Sequence, residues 1–413
     1  MTITALSTAT GRPFNRGRRR ALWVACGAHA LHDGLTDTLY LLLPILQTEF
    51  ALSYAAIGAL RALYAGAMAG LQVPAAKLAQ RIGGPRMLAA GTAVAGAAYL
   101  GLGASSTFAI LVALILGGLG SSVQHPIASS LVAAAYQGPR SRGALGTYNF
   151  AGDLGKMALP ALTAGLIAVI SWRLAAAVVG IIALLGAAAI LLAPWSVPAA
   201  GDRRIDALPS NSEPNERADP PRSGFALLLI IGVIDSVTRM GFLTFLPFLL
   251  RAKGAGLPEI GVALTLIFAG GAAGKLVCGF LGARLGVLTT VIITEAATAA
   301  GILALLPVPL GVALALLPII GVALNGTSSV LYGTVPELVS PERRESAFGV
   351  FYTGTIGAGA LAPALYGLLS DAIGLTPAML LVALVVFSTL PLAWELTCVL
   401  RAVASSPESQ TVR

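Results

Sequence analysis

Ionisable side chains inside apolar stretches of membrane-spanning length constrain this chain more than any other feature. Asp33, Asp153, Lys156, Asp235 and Arg239 each lie within a long apolar run. A charge in hydrocarbon costs several kcal/mol unless it faces a partner or water. The helices carrying these residues must therefore enclose a polar centre. Only 11% of the 413 residues are charged and 56% are hydrophobic, which excludes an ordinary water-soluble fold.

About 20 apolar residues cross roughly 30 Å of hydrocarbon. Runs of that kind fall at 22–46, 54–77, 87–104, 108–135, 144–169, 173–194, 224–249, 258–281, 287–306, 309–335, 346–369 and 376–400. They predict an all-α integral membrane protein with twelve transmembrane helices in two six-helix bundles. The first run is too long for a signal-peptide core and has no small-residue cleavage site after it, so it is expected to be retained. The 48 glycines fit close helix packing in lipid.

Residues 195–223 interrupt the pattern. This stretch is rich in Pro, Asp, Arg, Glu and Ser, cannot bury a core, and reads as a flexible linker. The expected organisation is an N-terminal arm (1–21), a first bundle (22–194), the linker (195–223), a second bundle (224–400) and a tail (401–413).

The net charge of +8 is a topology signal. Nineteen of the 26 Lys and Arg residues fall in the arm, the linker, the tail and the loops on the same side. Three, Arg173, Arg251 and Lys253, fall on the other side, and four, Arg61, Lys156, Arg239 and Lys275, lie in helices. This bias predicts that both termini are cytoplasmic, and it removes the case for a nucleic-acid partner. Cys26, Cys278 and Cys398 have no metal-site or disulfide spacing and read as small buried residues.

The halves repeat each other. Ala76-Lys-Leu-Ala-Gln-Arg-Ile-Gly83 follows the second span, and Gly279-Phe-Leu-Gly-Ala-Arg-Leu-Gly286 follows the eighth. Ser121-Ser122-Val123 in the fourth span matches Ser328-Ser329-Val330 in the tenth. Gly146 and Pro160 in the fifth match Gly349 and Pro363 in the eleventh, at the same separation. Repeats of this kind put a binding site at the interface of the halves, near mid-membrane.

Here the chain resembles the major facilitator superfamily of transporters. Arg81, Gly83, Arg284 and Gly286 match the family's two gating loops. Gln80 and Ala283 stand where the family carries an Asp that stabilises the outward-facing state. A narrower resemblance comes from His29-Ala-Leu-His-Asp33 and Gly120-Ser-Ser-Val-Gln-His125-Pro126, which are similar to fosmidomycin-resistance-type, proton-coupled drug exporters.

His29, Asp33 and Asp37 drift only about 80° around the first helix and share one face. Histidine titrates near neutrality, and a desolvated Asp can be raised toward it, which suits proton coupling. Asp33, His29 and His125 are therefore the proton-coupling candidates, and a structural hydrogen-bond network is the competing reading. Asp37 is placed near an outer vestibule. Pro126, one residue after His125, frees a carbonyl and can kink the fourth span.

Asn149, Asp153 and Lys156 stack on one face of the fifth helix, with Asp153 and Lys156 spaced to pair. Asp235 and Arg239 are spaced likewise in the seventh. These five and Gln124 are the candidate substrate contacts, and internal structural ion pairs are the alternative for the charged ones. Arg61 and Lys275 are expected to snorkel to the outer and inner surfaces. Glu295 and Glu395 are expected near the interfaces or capping packing contacts.

The chain has no Walker loop, zinc-binding His-Glu-x-x-His helix or recognisable Ser-His-Asp set, so no enzyme is expected. The reading is a secondary active transporter of the inner membrane, monomeric, powered by the proton gradient and needing no cofactor or metal. Its partners are the bilayer, protons and a small molecule. The resemblance implies export of a small amphiphilic or anionic compound by alternating access. An uptake symporter for an organic anion is the nearest alternative.

Overall fold

The computed structural model describes residues 12–103, 106–136, 139–193, 195, 222–335, 338–340 and 343–404. The expected linker lies almost wholly outside the described residues, as do parts of the arm and tail. Among the described residues the chain is helical throughout: α1 (Arg12–Glu49), α2 (Tyr54–Ile82), α3 (Gly84–Gly101), α4 (Thr107–Ser121), α5 (Gln124–Ala135), α6 (Pro139–Ile167), α7 (Trp172–Leu192), α8 (Arg222–Ala252), α9 (Leu257–Leu285), α10 (Val287–Leu305), α11 (Leu310–Thr334), α12 (Arg344–Ile373), α13 (Leu375–Phe387) and α14 (Thr389–Ala404). Nine helical segments among them are long and apolar enough to cross a membrane. The polar residues of α1 and α6, and the short Ala/Gly-rich α3, explain why those three are less apolar.

The expected kink at Pro126 is a local interruption of the hydrogen-bond ladder: Ser122 and Val123 keep helical dihedrals, and Thr107–Ala135 forms one span. α4 ends at Ser121 and α5 begins at Gln124. Proline has no N–H for the carbonyl four residues before it, so the Ser122 carbonyl loses its helical partner. The interruption leaves His125 in the first turn of α5 at mid-path.

The repeat is visible in the backbone. Gly83 joins α2 to α3 at φ +94°, and Gly286 joins α9 to α10 at φ +84°, a conformation that only glycine adopts freely. α2 packs on α12, and α6 on α9, so each half contributes to two equivalent seams. Both seams are glycine-tight. A Cβ on Gly58 of α2 would lie 2.0 Å from the Pro363 carbonyl oxygen of α12, and one on Gly261 of α9 would lie 2.3 Å from Ala164 Cβ of α6.

The seams close at one end of the molecule. There Asp371 of α12 accepts hydrogen bonds from the Tyr54 and Ala55 amides at 2.8 and 2.9 Å, placing an anion on the N-terminus of α2. Arg251 of α8 donates to the Pro44 carbonyl and to Thr48 of α1 at 2.9 and 2.7 Å. Tyr54 packs its ring edge-on against Phe248. Toward the opposite end, where Gly83 and Gly286 turn, Phe150, Phe280 and Tyr352 are exposed.

Candidate functional site

At mid-molecule the two halves face each other across a cavity of about 170 Å³, lined by Asp153, Lys156, Arg239, Phe268, Gly271, Lys275, Asn325 and Ser328. Its wall carries three cations and one carboxylate.

The first half supplies a network behind this wall. Gly152 and Gly155 let α6 lie directly on α1: a Cβ on Gly155 would fall 1.8 Å from the Ala30 carbonyl oxygen, and one on Gly152 would fall 2.6 Å from His29 Nε2. The approach brings Asp33 into contact with three partners. Its carboxylate is 3.2 Å from His29 Nε2, 3.9 Å from His125 Nε2 and 3.4 Å from Lys156 Nζ. His29 Nδ1 lies 2.8 Å from the Tyr148 carbonyl oxygen, which orients the ring, and the two rings stack at 4.1 Å. Asp33 is buried, whereas the His125 side chain is 49% exposed.

The expected i, i+3 pair of Asp153 and Lys156 is present at 4.0 Å, and both residues have closer partners. Lys156 lies closer to Asp33, while Asp153 accepts from Lys275 Nζ with both oxygens at 2.7 Å. Lys275 does not snorkel to a surface, because α9 packs against α6 and offers it a carboxylate across the seam. Arg61 does not snorkel either. It is 2% exposed, donates to Tyr40 Oη at 3.1 Å and lies over the Tyr40 and Tyr64 rings. Asp37 is buried at 7% exposure rather than solvated.

The expected substrate contacts divide. Asp153, Lys156 and Arg239 line the cavity, and Asp235 stands behind Arg239, 3.7 Å from its Nη2. Gln124 is buried and donates to Tyr148 Oη at 2.7 Å, so it supports the histidine network from outside the cavity lining. Asn149 is exposed and does not belong to the lining. Arg81, Gly83, Arg284 and Gly286 lie at the α2–α3 and α9–α10 turns, and Arg284 stacks over Phe280.

Lys275, Asn325, Ser328 and Phe268 join the cavity without having been singled out as contacts. Ser328 belongs to the repeated Ser-Ser-Val motif, and Asn325 sits about one turn before it. That was the available signal. Glu295 is 2% exposed, on the face of α10 that packs against its neighbours, whereas Ile293 of the same helix is exposed.

His29, Asp33 and His125 bring three ligand atoms within 4.8 Å, a set that suits a transition-metal ion. The ammonium of Lys156 beside the same carboxylate opposes a second cation there.

Two matches to one sequence family cover residues 13–223 and 228–410, and that family is the Major Facilitator Superfamily. The chain belongs to the Major Facilitator Superfamily. None of the curated proteins matches it. Among solved structures it is similar to an inward-facing, unoccupied bacterial homologue of the human lysosomal transporter Spinster, with TM-score 0.77 and 19% identity over 96% of this chain and 100% of that one. The occupied form of that homologue aligns at TM-score 0.74 and 18% identity, over 96% and 100% of the two chains. A point mutant of the nucleoside transporter NupG aligns at TM-score 0.73 and 14% identity, over 93% and 99%. At these identities the likeness shows the fold alone. As a superfamily member, the chain is a multi-pass membrane protein and a secondary transporter that works by alternating access, not an enzyme. Its cavity occupies the place where the two repeats of such a fold meet.

Proposed function

We propose that this transporter is a proton-coupled exporter of a small amphiphilic or anionic compound, acting as a monomer in a bacterial-type inner membrane with both termini cytoplasmic. In this reading Asp33, with His29 and His125, carries the proton, and Asp153, Lys156, Asp235 and Arg239 manage the substrate. Gln124 and Asn149 take supporting parts at the edge of the site. Arg81, Gly83, Arg284 and Gly286 act at the loops that open and close the cytoplasmic side.

One observation carries the reading. Lys156 lies between the carboxylates of Asp33 and Asp153, at 3.4 and 4.0 Å, and itself lines the cavity. Protonating Asp33 cancels the charge that holds Lys156 and frees its ammonium for Asp153 or for a bound anion. Asp153 in turn holds Lys275 of the other half, so a change at Asp33 reaches the seam between the halves through two side chains. Antiport needs such a link, because proton and substrate must exclude each other across a conformational change.

The uptake of an organic anion in symport with a proton is the second reading. The three cations on the cavity wall favour it, because anion and proton together carry little net charge across the membrane. Proteoliposomes with an imposed pH gradient separate the two. Export predicts substrate movement against the proton flux, and symport predicts movement with it. Transport unaffected by the gradient in either orientation contradicts both.

A further inference from the structure

The chain has three histidines. His32 is taken up by Thr92, whose hydroxyl lies 2.8 Å from its Nε2. The other two converge on Asp33. His29 Nε2 is 3.2 Å from one carboxylate oxygen, His125 Nε2 is 3.9 Å from the other, and the three ligand atoms fall within 4.8 Å of one another. Metal–ligand bonds of about 2.0–2.1 Å in a tetrahedron set the ligand atoms roughly 3.3 Å apart. The cluster is already close to that size.

His29 is also turned the right way. A carbonyl oxygen only accepts, so the 2.8 Å contact with the Tyr148 carbonyl puts the proton of a neutral His29 on Nδ1. Nε2 then points a lone pair at a carboxylate, acceptor against acceptor, and that arrangement calls for a cation between them. Metal-bound histidines are held in this way, with the other ring nitrogen donating to a carbonyl or carboxylate. Gln124 fixes Tyr148 in turn through its hydroxyl. Space for an ion is present. A Cβ on Gly152 would lie 2.6 Å from His29 Nε2 and 2.8 Å from an Asp33 oxygen, so this glycine keeps the place beside both atoms open. Lys156 stands against a metal, because its ammonium is 3.4 Å from the same carboxylate. It has somewhere else to go: Asp153 is 4.0 Å away, and Lys156 also lines the cavity.

We propose that His29, Asp33 and His125 form a binding site for a divalent transition-metal ion of the zinc class, with water completing the coordination and Lys156 displaced toward Asp153. Two imidazole nitrogens and one carboxylate suit such an ion and not magnesium or calcium, which prefer oxygen ligands. The ion is a competitor for Asp33 and not a cofactor of transport. It releases Lys156 toward the cavity, as protonation of Asp33 does in the proposed coupling scheme. That parallel rests on the scheme, whereas the metal site itself does not.

Calorimetric titration of zinc chloride into the purified full-length protein, free of any polyhistidine tag, tests the site. Wild type should bind one zinc ion per chain and no magnesium. His125→Gln should weaken zinc binding by about tenfold or more, since even the loss of an outer-shell partner costs that much. Gly152→Ala should weaken it similarly by filling the space beside the ligands, and the half-exposed His125 guards against a misfolded Gly152→Ala. His32→Gln should bind zinc as wild type does. Lys156→Gln should bind it severalfold more tightly, because the competing ammonium is gone. The proposal is overturned if wild type binds no zinc, or if zinc affinity is unchanged in both His125→Gln and Gly152→Ala. An equal or lower affinity in Lys156→Gln overturns it too, because Lys156 would then not compete with the ion.

Discussion

Gly58 and Gly261 are each the fifth residue of their helices, α2 and α9, and each presses bare backbone against a proline-bearing helix of the opposite half. The two seams of the molecule are built from the same parts. The polar centre is built from different ones. In the first half, α1, α5 and α6 assemble His29, Asp33, His125, Asp153 and Lys156 into one connected set. The positions of α12 that align with Asp153 and Lys156 are Ile356 and Gly359. The second half instead buries Asp235 beside Arg239, 3.7 Å from its Nη2. Rocking about a common axis needs two equivalent seams, so the frame repeats. Coupling needs charges that respond to different events, so the chemistry does not.

The comparison is most easily broken at the helix contacts beneath the polar sets. Gly155→Ala forces a methyl into the Ala30 carbonyl and should destabilise the protein by about 1–3 kcal/mol. Gly359→Ala meets first the rotatable Ser236 hydroxyl at 2.4 Å, and the helix propensity gained, about 1 kcal/mol, should leave it near wild type. Thermal unfolding in detergent checks both. Equal losses would mean that the α1–α6 contact has no special tightness.

The cations sharpen the comparison at smaller scale. Lys156→Gln and Arg239→Gln should each weaken binding of an organic anion by about 1–3 kcal/mol, the scale of a hydrogen bond to a charged group. A matched neutral ligand should lose less. Titration calorimetry on folded variants measures it, and equal losses for both ligands would reduce the two residues to structural ion pairs. The smallest effect is expected between the halves. Shortening 203–219 modestly should preserve expression and transport, because a segment of this composition serves as a tether.

The frame was legible in the sequence because hydropathy, paired glycines and paired prolines are local signals. The one-faced array of His29, Asp33 and Asp37 followed from helical periodicity alone. Partners across the interface were not legible. Asp153 and Lys275 are 122 residues apart, and nothing in either helix specifies that pairing. Asp153 and Lys156 satisfied the spacing rule for an ion pair, yet tertiary partners compete for both. Arg61 and Lys275 read as snorkelling residues because their depth was judged from the ends of single helices. Tyr40 and Tyr64, which bury Arg61, and Asp153, which holds Lys275, belong to packing.

The central claim is that the first half carries the proton that drives transport. Asp33→Asn in proteoliposomes tests it most directly, with substrate movement measured both under an imposed pH gradient and as exchange down a substrate gradient. Gradient-driven transport should vanish while exchange survives and the protein stays folded. Undiminished gradient-driven transport would remove Asp33 from the coupling mechanism.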